Sequence, residues 1–438
     1  MLNPEFRRNL WLEMTQHRVI GMPLILGAMF LLTYLLNDRE FGNEVAVLAL
    51  SLCGLIVILW GASQAAESIL SEVRSHTWEN QRMSAMGAWD MAWGKLFGGT
   101  VYSWYGALIC LAVYLISSDE VVVDTVKNMV LLVLCGLFSQ TIALLISLQN
   151  LKKDRSITRS QATVYALFGL IAVMPFLQFG FEKEVMVEWY GFSMLNMDFT
   201  LTSLALFVVW ALVGIYQSMR SELQMHNGLW VWTLFVIWLM VYLAGFMNDA
   251  EAMRLSVISS RLLVACLVAL SLTYLMIFVE SKDPVIFSRL RSMFEQGNWR
   301  QLNRNLPSWL TTLLIAFVVC AVLALTFPAE KGLESSLFFV AIYLFVLRDV
   351  CIILWINFGK QRKRADMTAI LYLIVLYGLL PSIARAMDLG SAELLFFPQW
   401  GEDVLMGTLL VAGQFVLVLF LAKNRWQGNY GVTRAIHE

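Results

Sequence analysis

The sequence predicts an all-α polytopic membrane protein of about twelve transmembrane helices, with an amphipathic surface helix at its N-terminus. Three observations carry that expectation. Of 438 residues, 59% are hydrophobic and only 14% are charged, against about 25% charged in an average soluble domain. The mean hydropathy is +0.68, more apolar surface than a soluble fold of this size can hide. The apolar residues also come in continuous runs of about 20, the length that crosses a bilayer core of roughly 30 Å. Barrel strands would alternate instead.

Residues 1–17 come first. Phe6, Leu10, Trp11 and Met14 recur at helical spacing, and Arg7, Arg8, Glu13 and Arg18 fall largely off that stripe. The segment is expected to lie on the inner leaflet, apolar side in the acyl boundary and arginines near the headgroups. It lacks the apolar core and cleavage site of a signal peptide, so the first span is expected to act as an uncleaved signal.

Twelve apolar runs follow, at 18–36, 45–66, 96–117, 128–149, 162–180, 199–218, 228–248, 255–279, 308–327, 335–357, 367–385 and 403–421. A re-entrant or flat-lying run would make the count eleven or thirteen. With the N-terminus inside, the inner segments hold 23 of the 31 Lys and Arg, the outer ones six, and two lie within spans. Cations accumulate on the cytoplasmic side, so both termini are expected to be cytoplasmic.

The runs divide into two six-span halves, 18–218 and 219–438. Each half has a long inner loop after its second span, 67–95 and 280–307, and then a short basic one, within 150–161 and 358–366. Pro175 and Pro381 fall late in the fifth span of each half, after similar starts (QATVYALFGLIAVMP and MTAILYLIVLYGLLP). The pattern suggests two parallel halves related by an axis along the membrane normal. The prolines are expected to kink their spans.

Little in the chain points to chemistry. The six cysteines all fall in apolar runs without metal-ligand spacing, as small packing residues do. His17, His76, His226 and His437 are far apart in sequence, and no nucleophile elbow, HExxH or paired carboxylates are present. No catalytic residue, metal site or cofactor is expected. Nor is a nucleic-acid partner, since 31 Lys and Arg nearly cancel 32 Asp and Glu.

Arg348 and Asp349 are the main charges inside a span, about 20 Å into the tenth run. Each costs about 2.5–3.5 kcal/mol at a helix centre. Neighbours in sequence point about 100° apart, so a mutual pair does not follow. The readings are an ion pair with another span, snorkelling, a polar lining for a substrate headgroup, or a coupling contact. Arg261, near a span end, can snorkel. Gln140, Gln178 and Gln414 read as interhelical hydrogen-bonding groups.

The most informative stretch is 67–98, ESILSEVRSHTWENQRMSAMGAWDMAWGKLFG. It holds helix formers, mixed charges and three tryptophans. Glu79 and Arg82 stand three apart and can pair on one face. A charged helix with aromatic anchors outside the membrane either docks a soluble partner or caps the bundle.

This stretch resembles the signature of the type-2 ATP-binding-cassette exporter permeases. That signature is a charged pair, Gly-Thr-Leu-Glu, Thr-Pro, and Gly-Lys at the head of the third span. Glu72 and Arg74 match the charged pair, and Thr77-Trp78-Glu79 matches Thr-Leu-Glu with Trp for Leu. Gly94-Lys95 follows Thr77 by 17 residues, the family spacing. Two positions depart: His76 stands for the glycine and Ser84-Ala85 for Thr-Pro. The match is good over about 30 residues and extends loosely over the first half.

The resemblance implies that this cytoplasmic helix fits a cleft on an ATPase subunit, with Glu72, Arg74, Thr77, Trp78, Glu79 and Arg82 as coupling residues. ATP-driven closure of two ATPases would then move the first, second and fifth spans. The chain has no Walker A motif, so ATP-Mg and its hydrolysis belong to a partner chain. Loop 280–307 lacks these landmarks: it is a diverged second docking element, or the second half is an accessory bundle. The expected partners are the ATPase, membrane lipids and a second copy of the chain. The expected location is the bacterial inner membrane.

Two other classes stay open: a twelve-span secondary transporter driven by an ion gradient, and a polytopic scaffold or enzyme. The aromatic-rich bundle with short outer loops favours an amphipathic or lipid-like cargo.

Overall fold

The computed structural model describes residues 3–37, 39–151, 160–182, 185–225, 227–248, 256–326, 333–359, 364–388, 390–397 and 404–437. The basic stretches within 150–161 and 358–366 lie largely outside these residues, as do Lys183, His226, Arg254 and Lys331. The chain is an all-α multi-pass membrane protein. Among the described residues ten helices are long and apolar enough to cross a bilayer, eleven if one bent pair is a single span. It divides into two compact units, residues 1–188 with 192–227, and residues 189–191 with 228–438.

The first unit begins with α1 (Pro4–Glu13) and α2 (Gln16–Leu36). The continuous helix α3 (Asn43–Arg74) and the short α4 (Trp78–Arg82) follow. Then come α5 (Ala88–Gly99), α6 (Val101–Ser117), α7 (Val122–Leu151), α8 (Gln161–Gly180) and α9 (Asn196–Glu222). Two four-residue strands, Met186–Trp189 and Phe192–Leu195, precede α9. The core gathers Leu26, Val57, Cys110, Leu131, Val173 and Leu204 from six helices.

Helix α3 contains a π turn at Leu55–Trp60. Such a turn shifts backbone carbonyls out of the regular ladder, and α7 supplies their partners. Gln140 Nε2 donates to the Val57 carbonyl at 3.0 Å and Ser139 Oγ to that of Ile58 at 2.8 Å. Gln140 thus serves as the interhelical bond its sequence position suggests, and also accepts from Trp104 at 3.0 Å.

The third apolar run is not straight. Helices α5 and α6 meet at Thr100 with a 52° bend. Gly98 and Gly99 loosen the helix there, and Thr100 Oγ1 bonds back to the Leu96 carbonyl at 2.6 Å, a contact that bends helices.

The second unit holds α10 (Trp230–Ala244), α11 (Val257–Val279), α12 (Pro284–Glu295), α13 (Trp299–Asn305) and α14 (Ser308–Thr326). It ends with α15 (Leu333–Asn357), α16 (Ala365–Ala386) and α17 (Val404–His437). The run predicted at 228–248 yields only the 15-residue α10, about 22 Å at 1.5 Å per residue, short of a bilayer core. Among the described residues ten or eleven helices are therefore long enough to span, where the sequence predicts about twelve. Loop 280–307 folds as the helix pair α12–α13, turning at Gly297 with φ +67°.

Neither late proline breaks its helix. α8 runs through Pro175, and in α16 a π turn at Val375–Leu379 precedes Pro381. The six cysteines are free and buried. Cys266 and Cys320 sit 3.1 Å apart, joining α11 to α14.

Candidate functional site

The stretch 67–98 is built from the end of α3, α4 and α5. Helix α3 stops at Arg74, and His76 reverses the chain in the left-handed region, φ 56°. The Thr77 amide closes the turn on the Glu72 carbonyl at 2.9 Å. Helix α4 then turns Trp78 inward, 4% exposed, against Ile69, Met91, Leu96, Leu144 and Leu148. This apolar seat anchors α4 to the unit.

Beside it lies a buried charge cluster. The Lys95 ammonium on α5 is fully enclosed. It donates to Glu72, to Glu5 at 3.2 Å and to Gln81 at 3.0 Å. Three acceptors match its three hydrogens. The Trp78 ring lies 5.2 Å below it, a favourable cation–π distance. Glu72 also accepts from Arg8 and, at 2.7 Å, from Gln81 Nε2. Arg8 returns to Glu5 at 2.9 Å. Helices α1, α3, α4 and α5 thus share one network. Removing a single partner of such a buried pair costs about 3–5 kcal/mol, because the other charge stays buried.

Glycines let α1 come this close. A Cβ on Gly94 would stand 2.5 Å from Glu5 Cβ, and one on Gly98 would stand 2.9 Å from Asn9 Cβ. Asn9 Nδ2 crosses this contact to the Gly94 carbonyl at 3.2 Å, and Asn3 Nδ2 reaches that of Asp90 at 2.5 Å. The face of α1 that packs on the protein is therefore the polar one, Glu5 and Asn9. Trp11 and Leu12 stay exposed. The predicted stripe of Phe6, Leu10 and Met14 is half-buried beside that contact.

The six coupling residues inferred from the sequence separate into three sets. Glu72 and Trp78 are buried and hold helices together. Arg74 pairs with Glu67 two turns back on the same helical face. Thr77, Glu79 and Arg82 lie at the tip: Thr77 is exposed, and the Glu79 carboxylate, 69% exposed, meets Arg82 at 3.1 Å. Met83 beside them is 78% exposed.

Sequence reasoning missed Glu5, Arg8, Asn9 and Gln81, whose partners lie far along the chain. One signal was readable, the small-xxx-small spacing of Gly94 and Gly98, which marks close helix approach.

In the second unit Arg348 and Asp349 are both enclosed. Arg348 Nε and Nη2 meet Asp349 Oδ1 at 3.0 and 2.9 Å, so the adjacent residues do pair. The other guanidinium hydrogens reach the Leu395 carbonyl at 3.1 Å, Gln414 at 2.7 Å and Tyr377 at 2.8 Å. Asp349 Oδ2 accepts from Tyr274 at 2.6 Å and Tyr377 at 2.5 Å. All five Arg hydrogens have acceptors, which makes this a structural tie among α11, α15, α16 and α17. Arg261 bonds the Met247 carbonyl at 3.2 Å.

Among the described residues no group of three or more His, Cys, Asp or Glu is placed to hold a metal ion. No protein-family profile, curated protein or solved structure matches this chain.

Proposed function

We propose that the chain is the membrane permease subunit of an ATP-driven exporter, and that a separate ATPase docks on loop 67–95 from the cytoplasm. The observation that carries this reading is the mechanical continuity of the stretch. Its tip, with Glu79 and Met83 exposed, stands on Trp78. The buried Lys95, Glu72 and Glu5 charges tie that seat to α1, α3 and α5. A push on the tip moves α1 and α3 as one body, because separating them would strand buried charges.

A second feature supports the resemblance. His76, at the position where the permease signature has glycine, adopts the left-handed backbone that glycine favours. Docking falls to the exposed Thr77, Glu79 and Met83 with the half-buried Arg82, and transmission to Glu72, Trp78 and Lys95. The chain sits in the bacterial inner membrane with both termini cytoplasmic.

The runner-up is an ion-driven transporter, favoured by the carboxylate of Asp349 buried in a span. Its hydrogen bonds to Arg348, Tyr274 and Tyr377 leave it a structural role. Transport by the chain reconstituted with its ATPase separates the two. Dependence on ATP supports the permease, and dependence on a proton or sodium gradient without ATP overturns it.

A further inference from the structure

A groove of about 530 Å³ runs between α1 and the last turns of α3. Its volume falls in the roughly 300–1,000 Å³ range of small-molecule sites. On α3 it lies where the apolar stretch ending at Trp60 gives way to the polar Ser63-Gln64 and Glu67-Ser68. On α2 it reaches Arg18, in the first turn of the helix. Both mark the level of lipid headgroups, where tryptophans concentrate and arginines at span ends settle.

The ion pairs of the lining leave capacity on both partners. Arg8 bonds Glu5 and Glu72 through Nη2 alone, and Arg18 bonds Glu13 through Nη1 alone. Among the described residues nothing else accepts from either guanidinium, so each keeps free N–H donors. The two side chains are 42% and 47% exposed, which puts those donors within reach of a ligand. The carboxylates are used by halves as well. Arg18 takes Glu13 Oε2 and Arg74 takes Glu67 Oε1, leaving the second oxygen of each. Ser68 and Ser71 donate their hydroxyl hydrogens back to helix carbonyls, so their oxygens also accept.

The pairs balance. Arg18 offsets Glu13, Arg74 offsets Glu67, and Arg8 with Lys95 offsets Glu5 with Glu72. The wall carries no net charge, yet it offers donors and acceptors side by side. A simple anion would meet the free oxygens of Glu13 and Glu67, and a simple cation would meet the guanidinium hydrogens. A dipolar group satisfies both. Phosphate oxygens suit the free guanidinium hydrogens. The free carboxylate and serine oxygens suit a primary ammonium, which brings three N–H donors, over a quaternary one, which brings none. We propose that the groove under α1 binds a phosphate joined to a primary ammonium. The phosphate sits on Arg8 and Arg18, and the ammonium on Glu13, Glu67 and Ser71. An ethanolamine phospholipid carries this group, as does its free headgroup. This inference stands whether or not an ATPase drives the chain.

The test titrates the full chain in mild detergent and reads bound lipid by native mass spectrometry. The probes are phosphatidylethanolamine, phosphatidylcholine and phosphatidylglycerol with matched acyl chains. Phosphatidylethanolamine should be retained about tenfold more strongly than either other lipid, the effect of one charge-assisted hydrogen bond. Glu13→Gln/Glu67→Gln leaves the guanidinium donors without competing carboxylates, and should shift the preference to phosphatidylglycerol. Arg18→Gln should weaken retention of phosphatidylethanolamine without that shift. Competition by soluble glycerophosphoethanolamine identifies the free headgroup as the ligand, and lack of competition identifies the lipid. Equal or stronger retention of phosphatidylcholine or phosphatidylglycerol by the unaltered chain overturns the proposal. So does a phosphatidylethanolamine preference that survives Glu13→Gln/Glu67→Gln. The measurement on the unaltered chain decides the matter even if a variant misfolds.

Discussion

The Lys95 ammonium meets the Glu5 carboxylate at 3.2 Å across 90 residues of sequence. That contact joins the N-terminal surface helix to the head of the bent third run, with Glu72 as the third member. Replacing Lys95 by Met leaves Glu5 and Glu72 with the exposed Arg8 as their one remaining cation. A loss of about 3–5 kcal/mol is expected, read as a lower unfolding midpoint in detergent. Adding Glu72→Gln should restore part of it, since the remaining carboxylate keeps Arg8.

Gly94 carries the same junction by absence of a side chain. Gly94→Leu places carbon where Glu5 Cβ and the Phe6 amide already stand, at 2.5 and 3.0 Å. Overpacking of this kind costs about 1–3 kcal/mol, and α1 should move off α5. Faster protease cleavage near the N-terminus would report the release. ATP-driven transport should fall while the ATPase still copurifies, separating transmission from docking.

His76→Gly should act in the opposite direction. The residue sits at φ 56°, where a side chain costs about 1–2 kcal/mol and glycine costs none. Glycine's greater freedom in the unfolded chain offsets part of that gain. A stabilisation of about 1 kcal/mol is expected, with ATPase binding unchanged.

The Arg348–Asp349 tie gives a double-substitution test in the second unit. Arg348→Leu alone leaves a buried carboxylate and should cost about 3–5 kcal/mol. Arg348→Leu with Asp349→Leu should recover most of that loss, and transport should return with it. Recovery of stability without transport would assign Asp349 a functional proton or ion instead.

The spans were legible because a bilayer forces continuous apolar runs of known length, and each predicted run overlaps a helix. The bend at Thr100 was not, because Leu96, Gly98 and Gly99 read as one run until the Thr100 hydroxyl is seen bonding backward. The shortfall at α10 arose similarly: 228–248 is apolar throughout, yet only Trp230–Ala244 is helical. Within the site, the local pair Glu79–Arg82 was readable from its spacing. Glu72 and Lys95 were singled out only as landmarks. Their partners Glu5 and Arg8 lie on another helix, and sequence spacing carries no information about which helices meet. The adjacency of Arg348 and Asp349 misled for a related reason. Their Cα–Cβ bonds diverge by about 100°, but a long guanidinium reaches around to the neighbouring carboxylate at 2.9 Å.

The proposed coupling depends on the exposed tip of α4 receiving the ATPase. Copurification of the chain with its ATPase, comparing the unaltered protein with Glu79→Lys/Met83→Glu, tests this most directly, because both side chains lie outside the buried cluster. Docking through the tip predicts at least a tenfold loss of bound ATPase with the unfolding midpoint unchanged. Undiminished copurification by that folded variant would contradict it.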